Sequence, residues 1–557
     1  MTRIGRRGFV TGVGAMGLAA GIPGMAAARD RGRGHPSHGG REFTVEETTV
    51  ADIRRALDSG RLSCVELTQL FLARIAAYEE GGPRLNAITT VNPRVARQAA
   101  ELDRVPRGRR GPLHGVPVLL KDNVDTADQP TSNGSVILKD AYPDDDAFLT
   151  RALRRQGALI LGKASMGEFA GSPYSTLDGQ MLNPYHLERQ TGGSSAGSAG
   201  ALAANLGVLA IGTDTSTSVR GPAAYCGIVG LRPTTGLISR DGIAPKNLTF
   251  DTAGPMARTV TDTALLFNAV AGEDPADPLS VATYRAYPRA LRRQAAAGRL
   301  DYTRYLRRRS LRGTRLGVMR DFFGGDPEID ALTETALATL RDLGAELVDV
   351  TLDPAFVEYY IVNGGTNIRR IADYRFKEDW ERYVTTLGPR VPRTVEEFVR
   401  VYETEVNQSP LPVADSVLNL LINSLRTSTA APEYADLMEN VLPEATRLKL
   451  AVFDAHRLDA MVFPYESRFA PPIDNPVQTI DDPDYVRSDR PDPATFAGYS
   501  SVGFPGIVVP MGFGSQGLPM TLSFMGRPYS DGALLGYAYD YEQETTLRAP
   551  SPLTPPL

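Results

Sequence analysis

Two stretches decide how this chain reads: TGGSSAGSAG, Thr191 to Gly200, and GTDTSTSVRGPAAYCGIVG, Gly212 to Gly230. Both are crowded with small residues and hydroxyls, which an ordinary core element does not need. Glycine lets a backbone turn tightly or approach another group closely, so Gly/Ser runs between apolar segments point to backbone amides aimed at a partner. Upstream, Gly115-Val116-Pro117-Val118-Leu119-Leu120 reads as a strand that delivers Lys121-Asp122-Asn123 to a loop. Lys121, Ser194 and Ser218 therefore stand in that order beside turns built for close approach.

A helix over Asp146 to Gln156 precedes an apolar run at Ala158 to Leu161, giving strand, helix, strand. Similar runs recur at Val208 to Gly212, Arg315 to Met319, Glu346 to Val350, Leu458 to Phe463 and Ile507 to Val509. The alternation predicts an α/β fold: a single large core with a central mixed sheet covered by helices, to which the last third of the chain returns. Thr49-Val50-Ala51-Asp52 and Ser63-Cys64-Val65-Glu66 match the capping box that opens a helix. The second of these helices carries Leu67, Phe71, Ile75 and Tyr78 on one stripe and ends before Gly81-Gly82. Between Pro354 and Leu450 the pattern turns helical, aromatic and charged, which predicts an inserted helical region: a lid that shapes the substrate entrance or, as the alternative, extra helices packed on the surface. The predicted catalytic domain spans residues 42–550.

At 557 residues the chain has 42% hydrophobic residues, ordinary for a globular protein, and a formal net charge of -5, which does not mark a nucleic-acid partner. The basic run Arg307-Arg308-Arg309 reads as a solvated face. Arg6-Arg7-Gly8-Phe9-Val10, a Gly/Ala-rich apolar stretch and Ala26-Ala27-Ala28 resemble a twin-arginine export signal over 1–28, followed by a flexible leader at 29–41. That predicts a periplasmic or extracellular location. Glycines and Pro23 interrupt the stretch, so no permanent membrane span is expected. Two cysteines, Cys64 and Cys226, are too few for a disulfide framework and read as small buried hydrophobes.

A serine hydroxyl is a poor nucleophile at neutral pH, so it needs a base in contact and donors waiting for the oxyanion. Of the five histidines, His35 and His38 fall in the leader, and His114, His186 and His456 read as polar loop residues, which leaves a Ser-His-Asp triad without support. Lysine serves as base when it is neutral at rest, a state that desolvation produces by lowering its pKa. Lys121, at the end of an apolar run, is placed for that. Asp214 and Arg220, flanking Ser218, are expected to form a buried pair that holds the loop. Ser195 and Ser198 read as caps of a helix over Ala199 to Leu206. There is no H-E-x-x-H, no Cys/His cluster and no G-K-[ST] phosphate loop, so neither a metal nor a cofactor is expected.

The block GGSSAGSAG through SRDGIAP (Gly192 to Pro245), preceded by K-D-N at Lys121 to Asn123, resembles the hallmark of the amidase signature family. The resemblance implies that Lys121 is the general base, Ser194 a relay whose peptide bond is cis, and Ser218 the nucleophile of an acyl-enzyme. It places the oxyanion hole on the backbone N–H groups of Thr215, Ser216, Thr217 and Ser218. The chain departs from the pattern at Ser216-Thr217, where the family commonly has two glycines; bulkier side chains there restrict the backbone and narrow the acyl pocket. The segments LISRDGIAP and DTAGPMARTV look most like bacterial peptide amidases and aryl acylamidases. The expected function is an exported amidase whose substrate is an amidated peptide, an aryl amide or a related acyl amide. Two alternatives stand beside it: the glutaminase-type subunit of a tRNA-dependent amidotransferase, and a non-catalytic secreted binding protein on the same fold.

Overall fold

Eleven strands pair into one mixed sheet: β1 (Ile88–Val91), β2 (Pro117–Lys121), β3 (Leu159–Ala164), β4 (Leu209–Asp214), β5 (Val229–Arg232), β6 (Thr252–Ala257), β7 (Arg315–Met319), β8 (Glu346–Val350), β9 (Ala460–Pro464), β10 (Gly506–Phe513) and β11 (Pro519–Met525). Their spatial order is β1-β3-β2-β4-β6-β5-β10-β11-β9-β7-β8. Parallel pairing joins β3, β2 and β4 on one side and β9, β7 and β8 on the other, and the strands between them are antiparallel. This computed structural model describes residues 43–171, 173–297, 300–357, 364–473, 493–498 and 503–557. Those from Thr44 to Leu557 belong to one unit.

The central strands are near-continuous apolar runs because both of their faces are covered. Every residue of β2, β3, β4 and β6 is buried. Each strand expected from apolar runs is present. Four more, β1, β5, β6 and β11, carried no such signal. β6 (TAGPMA) is an example: glycine, alanine and proline give it little strand propensity, and its pairing with β4 and β5 holds it in place.

Both capping boxes form, opening the helices Val50–Ser59 and Cys64–Ile75. Leu67, Phe71, Ile75 and Tyr78 are buried as one stripe. The helix after the Gly/Ser stretch runs over Ala196–Ala203, earlier than expected, and Ser195 makes no cap bond. Its hydroxyl turns instead to Thr213 of β4, and Ser198, inside the helix, donates to the Ile211 carbonyl at 3.3 Å. Between β8 and β9 the described residues are mainly helical, with helices at Gly364–Tyr383, Val395–Thr404, Asp415–Ser424 and Leu442–His456. No helix among the described residues is long and apolar enough to cross a membrane. The export signal and leader fall outside the described residues.

Candidate active site

β2 and β4 are parallel neighbours, with Leu120 opposite Ile211, so their carboxyl ends bring Lys121 and Thr213-Asp214 side by side. In open α/β sheets this is the edge where ligands bind. Lys121 is fully buried. Its Nζ lies 2.7 Å from Ser194 Oγ, 2.8 Å from Thr213 Oγ1 and 3.3 Å from the Thr213 carbonyl. Burial pushes the ammonium well below the usual lysine range, against a smaller opposing pull from Asp214.

The Gly193–Ser194 peptide bond is cis. The Ser194 carbonyl accepts the Gly167 N–H at 3.1 Å, and the Ser195 N–H donates to the Ser218 carbonyl at 3.2 Å, which ties the two Gly/Ser stretches together. Ser195 Oγ donates to the Thr213 carbonyl at 3.1 Å and accepts the Thr213 N–H at 3.2 Å. Gly212 is required here, since a Cβ on it would come within 2.8 Å of Ser195 Oγ. Ser218 is 7% exposed, in the turn two residues before the short helix Arg220–Tyr225. Ser218 joins the cluster through its backbone carbonyl; among the described residues its hydroxyl makes no hydrogen bond to Ser194, whose own contact is with Lys121.

The loop from Asp214 to Ser218 is held at successive residues. Asp214 and Arg220 form the expected buried pair at 3.3 Å, both fully buried, and a second guanidinium, Arg232, reaches Asp214 Oδ1 at 2.8 Å. Burial alone would raise the Asp214 carboxyl, but Arg220 and Arg232 outweigh it and hold it below the usual range. Thr215 Oγ1 donates to Asp251 Oδ1 at 2.6 Å. The Ser216 carbonyl accepts Arg220 Nη2 at 2.7 Å, and the Thr217 carbonyl accepts the Gly221 N–H at 2.8 Å. The sequence pointed to Lys121, Ser194, Ser218, Asp214 and Arg220; Thr213, Arg232 and Asp251 enter only because β4, β5 and the end of the following loop converge.

The remaining nucleophiles and bases lie apart from this cluster. Cys226 is fully buried and its thiol is pushed up by burial. Cys64, also buried, is pushed up to about 12, and its sulfur lies 3.9 Å from His114 Nε2. His114 lies in the turn before β2, as expected of a loop residue, but is buried, 1% exposed. His186 begins a short strand and His456 ends a helix. Among the described residues no three side chains cluster as metal ligands.

The family model named Amidase matches residues 66–535. A glutamyl-tRNA(Gln) amidotransferase subunit of Halorhodospira halophila is 35% identical over 517 residues, covering 90% of this chain and 98% of its own length. The corresponding protein of Chloroflexus aurantiacus is 34% identical over 526 residues, covering 90% and 97%. Among solved structures, peptide amidase from Stenotrophomonas maltophilia is 38% identical with a TM-score of 0.79, covering 92% of this chain and 99% of that one. With Lys121, a serine whose peptide bond is cis and Ser218 converging at the carboxyl edge of a shared fold, the chain belongs to the amidase signature family, enzymes that act on amide C–N bonds.

Proposed function

We propose that this chain cleaves a carboxamide through an acyl-enzyme on Ser218, with Ser194 as relay and Lys121 as base. The observation that carries the reading is the 2.7 Å contact between the fully buried Lys121 Nζ and Ser194 Oγ. A neutral lysine has two N–H groups and one lone pair. The two N–H groups serve the Thr213 hydroxyl and carbonyl, and the lone pair accepts the Ser194 hydroxyl. Ser194 then takes the Ser218 proton as Ser218 Oγ attacks the carbonyl carbon, and Lys121 holds the proton. The developing oxyanion is met by backbone N–H groups of Thr215 to Ser218. Ser194 returns the proton to the departing amine, and water repeats the path to release the acid.

On substrate, the named relatives support the amidotransferase-type reading better than the free-standing exported amidase that the sequence places first. Under it the chain releases ammonia from a glutamine-type amide within an assembly. The free-standing reading keeps one specific support, the 38% identity to a peptide amidase along nearly the whole chain; an export signal at 1–28 belongs with it.

One experiment tests the chemistry and separates the readings. Purified chain is exposed to a serine-directed fluorophosphonate, with intact mass as readout, and ammonia release is measured from glutamine, peptide amides and aryl amides. A single adduct absent in Ser218→Ala is expected; no adduct on the unmutated chain would sink the nucleophile assignment. Turnover of peptide or aryl amides by the chain alone supports the free-standing reading. Turnover confined to glutamine supports the amidotransferase one.

A further inference from the structure

Ser216-Thr217, the departure from the usual glycine pair, has a partner that no sequence pattern indicated. Thr217 Oγ1 lies 2.7 Å from the phenol oxygen of Tyr465, the residue that follows β9. Tyr465 is fully buried. Its ring packs against the Arg220 guanidinium, 5.3 Å from ring centre to carbon, and its N–H donates to the Thr521 carbonyl of β11 at 3.1 Å. The phenol is thus fixed by the sheet on one side and by Arg220 on the other. Arg220 in turn donates to the Ser216 carbonyl at 2.7 Å. The peptide groups on both sides of residue 217, the ones that lead into Ser218, are therefore gripped through the Ser216 carbonyl and the Thr217 side chain. A glycine at 217 could not make the second contact.

We propose that Tyr465 is a positioning residue for amide cleavage: through the Thr217 hydroxyl, its phenol holds the backbone N–H groups before Ser218 in the orientation that receives the oxyanion. This rests on the reading of Ser218 as nucleophile. An oxyanion site works only when its donors are already aimed at the oxygen, so a loop released by a fraction of an ångström loses transition-state stabilisation while ground-state binding is little changed.

The test is a set of four variants: Tyr465→Phe, Thr217→Val, Thr217→Ser and the double Tyr465→Phe/Thr217→Val. Tyr465→Phe and Thr217→Val are each expected to lower kcat about tenfold with KM within twofold of the unmutated enzyme. Thr217→Ser, which keeps the hydroxyl, should retain nearly full kcat, and the double variant should be no slower than either single one. Losses that multiply in the double variant, or an unchanged kcat in Tyr465→Phe, overturn the proposal. The rate of fluorophosphonate labelling at Ser218 reads the same four variants without any knowledge of the substrate. Normal labelling of both the unmutated chain and Tyr465→Phe overturns the positioning role alone. Absence of labelling on the unmutated chain overturns the Ser218 assignment and this proposal with it. Should Tyr465→Phe fail to fold, the contrast between Thr217→Val and Thr217→Ser decides the matter.

Discussion

Among the described residues no carboxylate bonds Lys121: its Nζ meets Ser194 and the Thr213 hydroxyl and carbonyl. A lysine buried without an ion pair discards its proton rather than keep an uncompensated charge. Lys121→Ala is expected to lower kcat/KM by about 10² to 10⁴, the range of a positioned base, measured on whichever amide the chain turns over. Because the neutral form is the active one, kcat/KM should rise with pH through a single deprotonation and then level off. The midpoint should lie well under the ordinary lysine range, and the limb should vanish in Lys121→Ala. At this scale the sequence already showed much, since a lysine ending an apolar run can be read from neighbours in the chain. Thr213 could not be read so, because its role depends on β2 and β4 lying side by side.

At the scale of elements, the helical region between β8 and β9 is joined to the site side of the sheet through Glu168 and Phe169. Tyr402, on Val395–Thr404, donates to Glu168 Oε1 at 2.5 Å, and its oxygen lies 2.6 Å from Ser135 Oγ. Phe169 inserts its ring among Phe376, Trp380 and Phe398, with Trp380 closest at 4.7 Å. It adopts a left-handed backbone (φ 47°), an unusual cost for a bulky residue that the aromatic packing offsets. Gly167, one residue before Glu168, is the donor to the Ser194 carbonyl, so docking of these helices and the place of the relay serine share one short segment. Burial raises Glu168 to about 7, against the lowering effect of Tyr402, Thr176 and Ser135. An unfolded glutamate titrates near about 4.3, so the folded state holds the proton more tightly. The linked stability is greatest below that value and is lost as pH rises through about 7. Denaturant midpoints measured from pH 4 to 8 should fall less steeply for Glu168→Gln than for the unmutated chain. The sequence showed that the helical region exists, from its changed pattern and aromatic content. It did not show where the region docks, because Tyr402 and Glu168 are partners across 234 residues.

For the whole molecule, the chain's last residues close the fold over its first helices. Arg548 bonds Glu47 through two nitrogens at 2.7 Å each, Ser551 Oγ donates to the Pro184 carbonyl at 2.6 Å, and Arg74 Nη2 donates to the Thr554 carbonyl at 2.8 Å. Deleting everything after Thr546 would take the Arg548 guanidinium from Glu47, leaving its carboxylate the Asn205 amide, and would leave the buried Arg74 guanidinium short of the Thr554 and Pro555 carbonyls. It is expected to lower the unfolding free energy by about 3 kcal/mol or more, read by denaturant titration. What could be read from the chain alone was local: the capping boxes, the apolar runs of seven strands and the glycine-rich turns, whereas the roles given to Lys121, Ser194 and Ser218 came from the resemblance to a family. The capping boxes, runs and turns are legible because they follow from steric and hydrophobic preferences of residues close together in the chain. It took the packed fold to show that Arg232 joins Asp214, that Asp251 holds Thr215, that a glycine- and proline-bearing segment is a central strand, and that Tyr465 reaches Thr217. Those facts rest on sheet order and buried polar contacts between distant segments, where the free energy of satisfying a buried group overrides the preference of any single stretch.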